Sequence, residues 1–136
     1  MSVFIDSSVW FAAANIRDGY NKRAKELLSA LQTRLTTDHV VVETWLLLNS
    51  RVHRDAAESF WRGIGAISEI ANVTDADVEA GWAITERFPD QAFSIVDRTS
   101  FAVMERLGLT RVASFDHDFA VYRYGRDRNR AFEILR

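Results

Sequence analysis

The chain has 136 residues, enough for one well-filled domain and too few for two. It contains no Cys, which excludes disulfide scaffolds, thiolate zinc sites, iron–sulfur clusters and cysteine nucleophiles, and points to a reducing compartment such as the cytoplasm. Seventeen Lys and Arg stand against nineteen Asp and Glu, a formal charge of −2 that speaks, on its face, against a nucleic-acid partner.

The start, Met1-Ser2-Val3-Phe4-Ile5-Asp6, has no basic residue and meets a charge at once, so no signal peptide is expected. Val3-Phe4-Ile5 reads as a short buried parallel strand ending at Asp6. Ser7 and Ser8 supply a hydroxyl cap for a helix over Val9 to Ala14. That run is the longest unbroken apolar stretch and far too short to span a bilayer. From Tyr20 to Leu31, Ala24, Leu27, Leu28 and Leu31 recur at helical spacing, with Lys22, Arg23, Lys25 and Glu26 on the other face.

Leu35-Thr36-Thr37 is a candidate strand, after which Asp38 can cap a helix from His39 to His53, although Val40-Val41-Val42 would also suit a strand. Asp55 can cap the next helix, and Ile67 to Val73 is a further strand candidate. Thr74-Asp75-Ala76-Asp77 resembles a capping box with Asp in place of Glu, opening a helix that ends before Pro89. Ser94 can cap the following helix, and Gly108 stops it. Arg111 to Ser114 reads as a strand delivering Phe115-Asp116, and Arg130 to Leu135 as a last edge strand. The four Trp are read as core. No linker divides 1–136, so one domain is expected. Strands spaced by helices predict an α/β fold with a parallel sheet of four to five strands, covered on both faces.

Ligands of such sheets sit beyond the carboxyl ends of the strands. Asp6 and Asp116 follow strands, and Glu43 and Asp97 are likewise embedded in apolar sequence. Taken singly, each has a structural use as a cap, a turn residue or a helix charge. Several carboxylates converging at one sheet end need a cation, and an all-oxygen donor set without Cys or paired His favours Mg²⁺ or Mn²⁺. Setting these four aside leaves fifteen acids against seventeen bases, which removes the objection from net charge. Near the end, Tyr122-Arg123-Tyr124-Gly125-Arg126-Asp127-Arg128-Asn129-Arg130 mixes four Arg that can pair with phosphates and two Tyr that can stack on bases; a plain solvated loop is the alternative. Arg98, beside Asp97, can touch a phosphate or balance the acids.

Phe-Ile-Asp-Ser-Ser at 4–8, Glu43 in its apolar helix, Ile-Val-Asp-Arg-Thr-Ser-Phe at 95–101 and Ser-Phe-Asp-His-Asp-Phe at 114–119 together resemble the PIN-domain ribonucleases. Size and the short ending look like the VapC-type toxins of type II toxin–antitoxin pairs. The resemblance implies an α/β/α sandwich and a Mg²⁺- or Mn²⁺-dependent endoribonuclease acting on structured RNA such as tRNA or rRNA. It implies a quartet of Asp6, Glu43, Asp97 and Asp116, with Asp6, Asp97 and Asp116 holding metal, and Ser8 and Asp118 as auxiliaries. Arg98, Arg123, Arg126 and Arg128 are the candidate RNA contacts. Asn21 departs from the His expected there. The resemblance also implies a cognate antitoxin, whose tail lies in an apolar groove that Trp45 could line, and a homodimer.

Two alternatives stay open: an RNA-processing nuclease outside a toxin–antitoxin pair, and a non-catalytic RNA- or protein-binding module. Phosphotransfer enzymes with an aspartyl strand end fit less well, because they want an acidic residue at position 8 and a late Lys.

Overall fold

The computed structural model describes residues 2–136. In chain order its elements are β1 (Val3–Ile5), α1 (Ser7–Ala14), α2 (Asn21–Ala30), β2 (Arg34–Thr37), α3 (Asp38–Arg51), α4 (Arg54–Ile67), β3 (Glu69–Ala71), α5 (Asp75–Arg87), α6 (Ile95–Leu107), β4 (Arg111–Ala113), α7 (Asp118–Val121) and β5 (Glu133–Leu135). The strands form one parallel sheet in the order β3-β2-β1-β4-β5. The chain builds outward from β1 to one edge and then crosses to β4 on the other side. The switch point therefore lies between the carboxyl ends of β1 and β4, the usual place for a ligand crevice in such sheets.

The buried strands read as continuous apolar runs: Val3, Phe4 and Ile5 are buried, as are Val112 and Ala113. A second core centre is aromatic. Phe101 stacks on Tyr122 at 4.2 Å between ring centroids, and Phe93, Phe119 and Phe132 surround the pair. Tyr122 donates its hydroxyl to Glu105 Oε2 at 2.7 Å.

The caps explain where several expected boundaries shift. Thr37 ends β2 and also caps α3, accepting from Val40 N–H at 3.1 Å, so the three valines start a helix, not a strand. Asp38, expected as the cap, lies in the first turn and accepts from Val73 N–H. His53, not Asp55, caps α4: its Nδ1 accepts from Ala56 N–H. Asp6 is the N-cap residue of α1 but makes no side-chain cap bond, and Ser7 and Ser8 are the first helical residues. The capping box at Thr74–Asp77 forms as expected, and Ser94–Asp97 forms a second one. Gly108 takes the left-handed conformation (φ 69°) that stops α6. The strands expected over 67–73 and 130–135 are pared to three residues each, and α7 has no counterpart among the expected elements. Asn21 donates from Nδ2 to the carbonyls of Ala12 and Ala13, tying down the end of α1. Of the four Trp, Trp10 is core, whereas Trp61 and Trp82 are 62% and 68% exposed.

Candidate active site

At the switch point the ends of β1 and β4 are tied together. Asp6 N–H donates to the Ala113 carbonyl at 3.0 Å, and the Asp6 carboxylate lies close enough to Glu43, Asp97 and Asp116 to help raise the pKa of each. That carboxylate is buried and accepts from Ser8 Oγ at 2.7 Å and Ser114 Oγ at 2.9 Å, both on Oδ2. Each hydroxyl also accepts a backbone amide, Ser8 from Phe115 at 3.0 Å and Ser114 from Asp116 at 3.1 Å. The two serines thus clamp the β4–α7 loop to Asp6 and fix where Asp116 stands. Ser8 is the support expected from sequence. Ser114 is not among the expected site residues, although a hydroxyl at a strand end, two residues before an acid, is a readable signal.

Glu43 reaches the same crevice from the middle of α3 and accepts from Ser7 Oγ at 2.5 Å. Burial raises its pKa, the Ser7 hydrogen bond works against that, and Asp6 adds to it. Asp97 is the N3 residue of α6, where its Oδ2 accepts from Ser94 N–H at 3.1 Å. Its pKa is pushed up to about 8, first by burial and then by a hydrogen bond shared with Asp118 and the charges of Asp118 and Asp6. Asp116, at the mouth, is pushed up to about 6 by partial desolvation against the pocket wall and by Asp6 beside it. Burial is the largest cause of all three shifts, and the like charge of Asp6 adds to each.

The cavity has a volume of about 440 Å³, and Glu43, Asp97, Asp116 and Asp118 line it above the buried Asp6. The structure therefore brings together all four acids of the expected quartet, with Asp118 as a direct partner of Asp97. Arg51 is the one cation among the described residues that line the cavity, and it carries no signal in sequence.

Among the described residues, no three Asp, Glu or His side chains stand in a ready-made metal-holding arrangement. The donor chemistry nonetheless fits a hard divalent ion. Every donor is oxygen, and the crowding that helps raise the pKa of Asp97 and Asp116 is what a cation relieves. Mg²⁺ keeps several waters, so contact through water suits a loosely gathered carboxylate set.

A PIN domain family model matches residues 3–124. The chain belongs to the PIN domain family. It is 36% identical over 120 residues to the 23S rRNA-specific endonuclease VapC20 of Mycobacterium tuberculosis, covering 87% of this chain and 92% of that one. The crystal structure of M. tuberculosis VapC20, a Sarcin-Ricin loop cleaving toxin, superposes with a TM-score of 0.80 at 34% identity, over 85% of this chain and 91% of that one. VapBC2 from Rickettsia felis, solved with a DNA fragment from its promoter, matches with a TM-score of 0.68 at 11% identity over 99% and 98% of the two chains, and at that distance shows the fold alone.

In this PIN domain the basic residues expected near the site are dispersed. Arg98 lies beside Asp97 in sequence, yet its guanidinium donates to Thr85 Oγ1 and the Ser94 carbonyl and borders an apolar hollow with Trp82 and Ile95. It does not balance the acids. Arg123 donates to the carbonyls of Ala120, Val121 and Tyr122. Arg126 and Arg128 are exposed. Tyr122 is wholly buried and so is not offered to a base, and the half-buried Tyr124 stacks on Phe132 at 4.6 Å.

Proposed function

We propose that this chain is a Mg²⁺- or Mn²⁺-dependent endoribonuclease of the VapC type that cuts structured ribosomal RNA. The observation that carries the reading is the convergence of Asp6, Glu43, Asp97, Asp116 and Asp118 on one crevice, on a chain 36% identical to a 23S rRNA-specific endonuclease. Asp6, Asp97 and Asp116 would hold the ion. When bound, the ion polarises the phosphodiester and lowers the pKa of a water. Ser8 and Ser114 hold Asp6 in one rotamer and so fix the position of the scissile phosphate. Glu43, held by Ser7, orients the attacking water and takes its proton. Attack in line with the P–O3′ bond leaves a 5′-phosphate and a 3′-hydroxyl.

A cognate antitoxin and a second copy of the chain are the proposed protein partners. An apolar pocket of about 300 Å³, lined by Val41, Val42, Trp45, Leu46 and Trp61, adjoins a second hollow through Val42 and Leu46. That hollow reaches the acidic cavity through Glu43 and Leu47. An apolar tail along this trough could deliver an Arg or Lys to the acids. The separate patch of Val78, Trp82 and Ile95 on α5 and α6 suits self-association. Among the described residues no helix is long and apolar enough to cross a membrane. The proposed place of action is the cytoplasm, where ribosomes are.

The test is incubation of the purified chain with a synthetic sarcin–ricin stem-loop and with total tRNA, in Mg²⁺, in Mn²⁺ and in EDTA. Cleavage of the stem-loop to a 5′-phosphate end, abolished by EDTA, is the expected result. Cutting of tRNA alone would move the substrate. No cutting with either ion would overturn the nuclease reading.

A further inference from the structure

We propose that a groove lined by Arg17, Arg51 and His53 is the subsite that holds the RNA backbone leading into the acidic crevice. The inference rests on the nuclease reading above and names where its substrate runs. The groove, of about 580 Å³, lies between the end of α1 and the α3–α4 junction. Arg51 lines both this groove and the acidic cavity, so the two are joined at its side chain.

Three features fit a phosphate chain. Among the described residues, the guanidinium groups of Arg17 and Arg51 have neither an ion pair nor a hydrogen bond, although both are exposed. Two unpaired guanidiniums on one groove match phosphate oxygens in charge and in donor geometry. His53 accepts the Ala56 amide on Nδ1, which puts the proton of its neutral ring on Nε2 as a further donor. Ala14, Ile16, Val52 and Ala56 give the groove apolar walls against which ribose can lie.

Electrostatics give the groove a reason to exist. The acidic crevice repels a polyanion before a cation binds, so the strand must be attracted from beside it. The Arg-rich terminal segment does not serve: Arg123 is tied to backbone carbonyls, and Arg126 and Arg128 line neither cavity.

Binding of a fluorescein-labelled sarcin–ricin stem-loop tests this in the Asp97→Asn background with Mg²⁺, at several salt concentrations. Cleavage kinetics are read in the otherwise wild-type chain. Arg17→Ala/Arg51→Ala is expected to weaken binding roughly tenfold and to lower the salt slope by about one per arginine. In cleavage it raises KM with kcat nearly unchanged, and Arg17→Lys/Arg51→Lys recovers most of the affinity. Lys25→Ala/Arg62→Ala, removing two exposed cations that line neither cavity, leaves affinity and slope as they were. Undiminished affinity and slope in Arg17→Ala/Arg51→Ala, with wild type cutting normally, would overturn the subsite alone. Weakened binding in Arg126→Ala/Arg128→Ala, and not in the groove pair, would overturn it too. A wild-type chain that neither binds nor cuts RNA overturns the nuclease reading and the subsite with it.

Discussion

Asp77 and Asp97 occupy the same local structure and meet opposite fates. Each is the N3 residue of a helix, each closes a capping box by accepting the N-cap amide, and each is buried. Burial opposes ionisation of Asp77, but hydrogen bonds from Arg106 and Thr74 outweigh it, and its pKa is lowered. Arg106 reaches Oδ2 with Nη2 at 2.9 Å and Oδ1 with Nε at 3.0 Å. Asp97 has the same cap but faces Asp118 and Asp6 in place of an arginine, and its pKa rises to about 8. The capping motif is thus neutral about function. What differs is the partner: one acid has its counter-charge built in, and the other is left in need of one.

The largest expected effect comes from removing that need. Asp97→Asn keeps a carbonyl oxygen for the Ser94 amide and removes the titrating group. RNA cleavage should fall on the order of 10²-fold or more, while the metal-free protein melts at a higher temperature than wild type. A carboxyl with a raised folded pKa favours the native state in acid, and stability declines as pH rises from its ordinary 3.8 toward about 8. Melting in EDTA from pH 5 to 8.5 should show this decline in wild type and a flatter profile in the variant. Equal activity in the two proteins would remove Asp97 from the site. Mn²⁺ or Mg²⁺ should raise the melting temperature of wild type, and raise it less in Asp97→Asn.

The reverse experiment is Arg106→Ala, which leaves Asp77 buried with its cap alone. Loss of a charged partner from a buried acid costs about 1–3 kcal/mol, with the lower part expected because Arg106 is itself part-exposed. The linkage has the opposite sign here. A lowered folded pKa gives stability that is present above the unfolded carboxylate range and is lost as pH falls through the folded value. Arg106→Ala should therefore lose most near neutrality and approach wild type in acid, with cleavage retained below the melting transition. A loss that is the same at every pH would mean that Arg106 acts by packing alone.

This contrast marks what sequence can and cannot carry. Residue type and order are enough for a parallel sheet of four to five strands, the β1 and β4 ends, the Thr74 box and the four converging acids. Each of these depends on neighbours within a few residues or on strand order. The Asp77–Arg106 pair spans 29 positions, and Ser114 reaches Asp6 across 108. No local pattern encodes such contacts. Arg98 shows the converse: one residue from Asp97, it points elsewhere, because successive helical residues face different directions. Trp61 and Trp82 mislead for another reason. A large apolar side chain signals burial in sequence, yet both of these stand on the surface of the chain.

The smallest effect separates the two boxes most cleanly. Thr74→Ala and Ser94→Ala each remove the hydroxyl that accepts the N3 amide, at 3.2 Å and 3.0 Å. Each should cost about 1 kcal/mol of stability, measurable as matched shifts in the urea midpoint. In activity they should part. The Thr74 cap supports an acid already held by Arg106, so cleavage stays at the wild-type rate. The Ser94 hydroxyl holds the first turn on which Asp97 is carried, and Ser94 itself lines the acidic cavity. Its loss loosens the aim of a carboxylate that no arginine steadies, and kcat should fall severalfold with KM little changed. Ser94→Thr should restore both the cap and the rate, because it returns the hydroxyl to the same backbone position. Equal rates in Ser94→Ala and Thr74→Ala would mean that the Ser94 amide and Asp118 hold Asp97 in place without the hydroxyl.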